Sequence, residues 1–67
     1  MSNQEINSLI EEITIILKAI SESETTEATG LLDDFEEKWI NKIPCIDNLI
    51  EEILEVIGNV DSLLENN

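Results

Sequence analysis

Isoleucine and leucine recur in this chain at alternating intervals of three and four residues. In the first segment the series comprises Ile6, Leu9, Ile13, Ile16 and Ile20, with Ile10 and Leu17 beside it. This spacing places the apolar side chains on one face of an α-helix, where they can pack against a core. Because Ser2 and Glu5 match a capping box, the pattern predicts a helix over roughly residues 3–21.

The same spacing occurs twice more along the chain. In the second segment it comprises Leu32, Phe35 and Trp39, flanked by Ala28, Leu31 and Ile43. In the third it comprises Ile46, Leu49, Ile53, Val56, Val60 and Leu63, widened by Ile50, Ile57 and Leu64. Pro44 disfavours helical geometry in the residue before it and suits the first turn of a new helix. The patterns predict helices over roughly residues 28–42 and 44–64, the last continuous through Gly58.

Between the first two apolar segments the sequence ESETTEATG is polar, which predicts a loop. The exit from this loop into the second helix is predicted to lie between Thr25 and Thr29. Three helices joined by short connections indicate one all-α domain over residues 1–67, a small three-helix bundle with up-down-up topology. A chain of this length forms a small core, and the single Cys45 cannot form an internal disulfide. Self-association is therefore the remaining route to added stability.

Two stretches of eight residues are nearly identical: INSLIEEI at 6–13 and IDNLIEEI at 46–53. In both, helical periodicity groups the Ile and Leu side chains on one side and the two Glu residues on the other. We interpret the repeat as the same packing solution used on two helices, with the pairs Glu11-Glu12 and Glu51-Glu52 on matched outer faces.

The chain carries sixteen acidic and three basic residues, a formal net charge of −13. Such a charge repels nucleic acid and anionic membranes, and attracts a protein with a basic surface. The candidate partner-binding residues are Glu11, Glu12, Asp33, Asp34, Glu36, Glu37, Glu51, Glu52 and Glu55. Three apolar residues do not fit the helical faces and are candidates for an apolar contact: Ile15, Ile40 and Leu54.

The residues that most enzymes and metal sites use are scarce. There is no histidine, so neither a Ser-His or Cys-His pair nor a zinc site with nitrogen and sulfur ligands is expected. We therefore predict no catalytic residue, no metal and no cofactor. The apolar stretch ITIILKAI is too short to span a bilayer, and Met1 to Glu5 carries no basic residue, so a cytoplasmic protein is expected.

Acidity, small size and helical order favour one class of function. They predict an inhibitor or antidote that occupies the basic, nucleic-acid-binding surface of a partner protein and mimics nucleic acid. The alternative is a structural or adaptor bundle that forms a homodimer or pairs with apolar helices, its charge serving solubility.

Overall fold

The computed structural model describes residues 2–65, which form three α-helices connected by turns. Helix α1 spans Asn3–Ser21, α2 spans Thr25–Trp39 and α3 spans Ile46–Glu65. Within this described part of the chain there is no β-strand. The predicted all-α fold with three helices is confirmed.

Side-chain contacts near the helix ends define the topology. Lys42, just after α2, lies with its Nζ 3.9 Å from a carboxylate oxygen of Glu5, near the start of α1. At the other end of α2, the Thr25 hydroxyl donates a hydrogen bond to the carboxylate of Asp61, close to the end of α3, at 2.9 Å. Helix α2 is therefore antiparallel to both neighbours, and α1 and α3 run in the same direction. This is the predicted up-down-up arrangement.

The start of α1 follows directly from local sequence. The Ser2 hydroxyl accepts a hydrogen bond from the backbone N–H of Glu5 at 3.2 Å, and the Glu5 carboxylate accepts one from the backbone N–H of Ser2 at 3.3 Å. The bond from the Ser2 backbone, and after it the bond from the Ser2 hydroxyl, lowers the pKa of Glu5 because both stabilise its charged form. The capping box and the predicted bounds of α1 are confirmed.

The predicted bounds of the other two helices are wrong by two or three residues. Helix α2 begins at Thr25, which lies within the predicted range for the loop exit but three residues before the predicted bound of 28. It ends three residues earlier than predicted, and α3 begins two residues later. After Trp39 the chain turns, and the backbone N–H of Ile43 donates to the Trp39 carbonyl at 3.0 Å. Cys45 has a φ of 69°, a left-handed conformation that redirects the chain at a cost of roughly 1–2 kcal/mol for a residue other than glycine. Pro44 therefore lies in this turn and not in the first turn of α3.

The core is organised around α2. Its apolar stripe consists of Ala28, Leu32, Phe35 and Trp39, each at most 1% exposed. Helix α1 adds Ile16, Ala19 and Ile20, and α3 adds Ile46, Ile50, Ile53 and Ile57. Helix α2 packs against both of the others, whereas α1 and α3 approach each other far less. The centre of the bundle is thus a helix with one partner on each side.

The two copies of the eight-residue repeat do not pack alike. Ile46 and Ile50 are buried, but their counterparts Ile6 and Ile10 are exposed. The interpretation of the repeat as a shared packing solution is therefore wrong. The helices are staggered along the bundle, since its longest dimension of 44 Å exceeds the roughly 30 Å of a 20-residue helix. Ile6 and Ile10 lie beside the side of α1 that packs on α2, whereas Ile46 and Ile50 lie on the side of α3 that packs on it.

The predicted continuity of α3 through Gly58 is confirmed, and it generates a stability test. Gly58 in α3 and Gly30 in α2 have no atom within 4 Å of the position a Cβ would take, and neither has a positive φ. Gly58→Ala and Gly30→Ala should each raise the free energy of unfolding by about 1 kcal/mol, because alanine favours helix and restricts the unfolded chain. Urea denaturation followed by Trp39 fluorescence measures this. A lower denaturation midpoint for both variants would contradict the helix assignment.

Candidate protein-interaction surfaces

Carboxylates line the solvent side of α2, opposite its buried stripe. Helical periodicity groups Glu27, Asp33, Asp34 and Glu37 there, and all four are exposed. We call these four residues the α2 acidic face. Neither of the two ion pairs formed within residues 2–65 involves any of them. The face therefore carries four carboxylates without an ion pair in this part of the chain, on a helix whose other side is fixed by the core.

Repulsion between carboxylates is visible at the start of α2. A hydrogen bond shared with Glu27, and after it the negative charge of Glu27, raises the pKa of Glu24. Sequence reasoning missed both residues as candidates because it placed them in a loop. The signal that could have found them is the preference for acidic residues in the first turn of a helix, where they complement its dipole.

The other predicted acidic residues do not join one surface. Glu36 is exposed on the flank of α2, Glu11 lies on the outer side of α1, and Glu51 and Glu55 lie on the outer side of α3. Because the three helices surround a common core, their outer sides point in different directions. The structure thus separates the predicted carboxylates into patches, and the α2 acidic face is the densest of them.

Glu12 and Glu52 lie at the edges of the outer faces, where they have different neighbours, so the two predicted glutamate pairs do not match at these positions. Glu12 turns towards α2, and its carboxylate accepts a hydrogen bond from the Lys38 ammonium group at 2.9 Å. Glu52 lies at the edge of a groove between α1 and α3. Of the repeated glutamates, Glu11, Glu51 and Glu52 are exposed and Glu12 is half-buried.

Two of the three lysines gather around the core tryptophan. The Nζ atoms of Lys38 and Lys42 each lie 5.3 Å from the centre of the Trp39 ring, within the range of cation–π attraction. Trp39 is buried, which confirms its predicted place in the core, and its Nε1 has no hydrogen-bond acceptor within the described residues. These lysines are held beside α1, where they also contact Glu12 and Glu5. Neither lysine forms an ion pair with a carboxylate of the α2 acidic face.

An apolar groove lies on the side of the bundle that α2 leaves uncovered. It encloses a cavity of about 190 Å³ lined by Leu17, Ile20, Leu49, Glu52, Ile53 and Val56. We call it the α1/α3 groove. Five of its six lining residues are apolar, and Leu17 and Val56 are half exposed. It is the most apolar concave surface found among the described residues.

The predicted core face of α3 is wrong in part, and the groove shows why. Val56 and Leu63 are expected on the core face but are exposed, whereas Ile50 and Ile57 are buried at its centre. The apolar arc of α3 is wider than one neighbouring helix can cover, so part of it remains in solvent beside the groove. On α1 the residues Ile6, Ile10 and Leu17 form the corresponding exposed strip at helical spacing.

The three predicted apolar contact residues lie elsewhere. Ile15, Ile40 and Leu54 are all exposed, as their mismatch with the helical faces indicates. Ile15 and Leu54 are on the sides of α1 and α3 away from the α1/α3 groove, and Ile40 follows the end of α2. The structure therefore does not bring these three residues together with the groove.

Other kinds of site find no support in the part of the chain that the structure describes. Residues 2–65 contain no group of three or more Asp, Glu or Cys side chains placed to hold a metal ion. None of the three helices is long and apolar enough to cross a membrane. No family model, no curated protein and no solved structure matches the chain. Function is therefore inferred from two surfaces, the α2 acidic face and the α1/α3 groove.

The excess of surface carboxylates has a thermodynamic consequence. Repulsion among these carboxylates lowers the stability of the folded state. A higher salt concentration shortens the distance over which the charges repel one another and so weakens the repulsion. The melting temperature followed by circular dichroism should therefore rise between low and moderate sodium chloride at a fixed protein concentration. A melting temperature that falls instead would mean that the ion pairs of Lys38 and Lys42 outweigh the repulsion.

Proposed function

We propose that the protein is a small acidic binding module that occupies a basic surface of a partner protein. The observation that carries the proposal is the α2 acidic face, whose carboxylates have no ion-pair partners among residues 2–65. A basic protein surface gains attraction and faster encounter from such a face. The contact is made by Glu27, Asp33, Asp34 and Glu37, with Glu36 at its edge.

The charge density of this helix supports nucleic-acid mimicry. From Glu27 to Glu37 the helix rises roughly 15 Å. This segment carries five carboxylates, at Glu27, Asp33, Asp34, Glu36 and Glu37. That is about one charge per 3 Å, close to the one charge per 3.4 Å of a single DNA strand. The partner best suited to this face is a nucleic-acid-binding protein, and the protein then acts as its inhibitor or antidote.

The fold supports the proposal by holding the carboxylates in place before binding. Ala28, Leu32, Phe35 and Trp39 fix α2 against its two neighbours. A surface that is ordered in the free protein loses less conformational entropy on binding than a flexible acidic tail. The same charge disfavours direct contact with nucleic acid or anionic membranes. The proposal places the protein in the cytoplasm, where the exposed thiol of Cys45 stays reduced.

A second function is favoured by a separate observation, the α1/α3 groove. An apolar groove between two parallel helices suits helix pairing, the mode of a structural or adaptor bundle. Salt separates the two modes. A partner held by the α2 acidic face should dissociate as salt rises, whereas apolar pairing should be unaffected or strengthened.

Affinity capture from a lysate of the source cells tests the proposed function. The protein should retain a basic nucleic-acid-binding protein, and both sodium chloride and added double-stranded DNA should release it. Captured proteins that resist both treatments would contradict the mimicry.

Neutral amide variants locate the contact. The triple variant Asp33→Asn, Asp34→Asn, Glu37→Gln should weaken capture roughly 10- to 100-fold, because it removes three charges from the α2 acidic face. The matched control Glu11→Gln, Glu51→Gln, Glu55→Gln removes the same number of charges from the outer sides of α1 and α3. Its effect should be much smaller. Equal losses in both triple variants would show that only the net charge matters.

A further inference from the structure

The folded chain is more open than a compact protein of its mass. It exposes 4769 Å², whereas the usual scaling gives about 4,300 Å² for a 7.6 kDa protein. Its radius of gyration is 12.6 Å, against about 11 Å expected for 67 residues. Part of the exposed surface lies where α1 and α3, which both pack on α2, leave their facing sides open. The α1/α3 groove is the centre of that open side.

The lining of the groove and its α1 edge are poor in charge. The edge of α1 beside Ile6, Ile10 and Leu17 carries the neutral residues Asn3, Asn7, Thr14 and Ser21. On α3 the corresponding edge carries Asn48 and Asn59 with Glu52 and Glu55 between them. Glu52 is the only one of sixteen acidic residues that lines the groove cavity. Depletion of charge around an apolar centre is the composition of a protein–protein interface.

We propose that the α1/α3 groove is occupied by a second copy of this chain. The two copies pack groove against groove, and Leu17 and Val56 of each lie near the centre of the contact. The exposed strips of α1 and α3 extend the contact along the bundle. The α2 acidic faces then lie on the two outer sides of the dimer. The inference is independent of the proposed acidic contact, and it rests on the second function, for which it names the occupant of the groove.

The size of the open side fits a stable dimer. Because α1 and α3 lie side by side there, the open side corresponds to the two larger dimensions of the molecule, 44 and 19 Å. A face of this size is comparable with the roughly 800 Å² per partner that a stable interface buries. Dimer formation would also give a chain of 67 residues the second layer of apolar packing that its small core lacks.

Charge favours a second copy over a basic helix as the occupant. A basic helix would meet one carboxylate at the groove, Glu52, and would leave most of its charge unpaired. A second copy brings neutral amides and hydroxyls to the same edges together with its own Glu52, whose exposed carboxylate stays in solvent at the rim of the contact. The two α2 acidic faces would be separated by about twice the 14 Å thickness of one copy, well beyond the Debye length of about 8 Å at physiological salt. Their mutual repulsion is therefore largely screened.

Molar mass across a dilution series tests the inference directly. Sedimentation equilibrium or light scattering of the intact chain at physiological salt should show a dimer that dissociates on dilution and is strengthened by added sodium chloride. A chain that stays monomeric into the millimolar range would overturn the proposal and leave the groove to a different protein. A salt-labile oligomer would also overturn it, because that response belongs to charged contacts.

Matched variants place the contact on the groove. Leu17→Glu and Val56→Glu change side chains that are 51% and 46% exposed, and Ile15→Glu and Leu54→Glu change side chains on the same helices that are 52% and 43% exposed. All four add one negative charge. The groove variants should weaken the dimer roughly 30-fold or more, the loss typical of a central interface residue. The controls should leave it unchanged, and equal weakening by the controls would overturn the assignment of the groove.

Folding and partner binding are followed separately. Far-UV circular dichroism and Trp39 fluorescence report whether each variant stays folded, since Trp39 is buried away from the groove. If Leu17→Glu unfolds, Val56→Thr, which keeps the branched shape of valine, provides the milder change and should still weaken the dimer. The amide variants of the α2 acidic face should leave the dimer intact. Loss of the dimer in those variants would contradict the assignment of the dimer contact to the groove. Loss of partner capture without loss of the dimer would bear only on the proposed acidic contact.

Discussion

The packing of one short apolar stripe of α2 against two longer helices is the interaction on which this structure depends. Ala28, Leu32, Phe35 and Trp39 are almost completely buried, and they contact both neighbours, whereas α1 and α3 approach each other far less. The indole Nε1 of Trp39 is buried without a hydrogen-bond acceptor among residues 2–65, which costs roughly 1–3 kcal/mol. Apolar packing of the indole outweighs this cost. The remaining features of the surface follow from the central place of α2.

A central helix with partners on two sides separates charge from apolar surface. The outer side of α2 carries the α2 acidic face, and the lysines Lys38 and Lys42 lie beside α1 over the Trp39 ring. The opposite side of the molecule is the α1/α3 groove, which one carboxylate lines. A net charge of −13 is thus unevenly distributed, and each side presents a different kind of contact. This segregation is a property of the fold that net charge and composition do not contain.

Local rules predicted part of this structure from sequence, and tertiary relations decided the rest. The start of α1 depends on Ser2 and Glu5 alone, so it was predictable. The start of α3 depends on a left-handed Cys45 that positions the helix against α2, and no local pattern requires that conformation. The prediction of the buried side of α3 was wrong in part because the apolar arc of this helix is wide. Only the position of α2 decides that Ile50 is buried and Val56 is exposed. The α2 acidic face was found in part, since Asp33, Asp34 and Glu37 fall on one side of any helix through them.

The two proposed surfaces are physically related. Carboxylates that face a partner repel one another in the free protein and lower its stability, and a core of this size has little stability to lose. Burial of the α1/α3 groove in a dimer would offset that loss without bringing the two α2 acidic faces closer than twice the thickness of one copy. The dimer would then display two sets of carboxylates on its opposite outer sides, related by a two-fold axis. A nucleic-acid-binding partner that is itself a symmetric dimer could bind both sets only if the distance between them matched the distance between its own two basic sites. The geometry of the groove contact would therefore restrict which basic proteins bind, whereas charge alone would allow many of them.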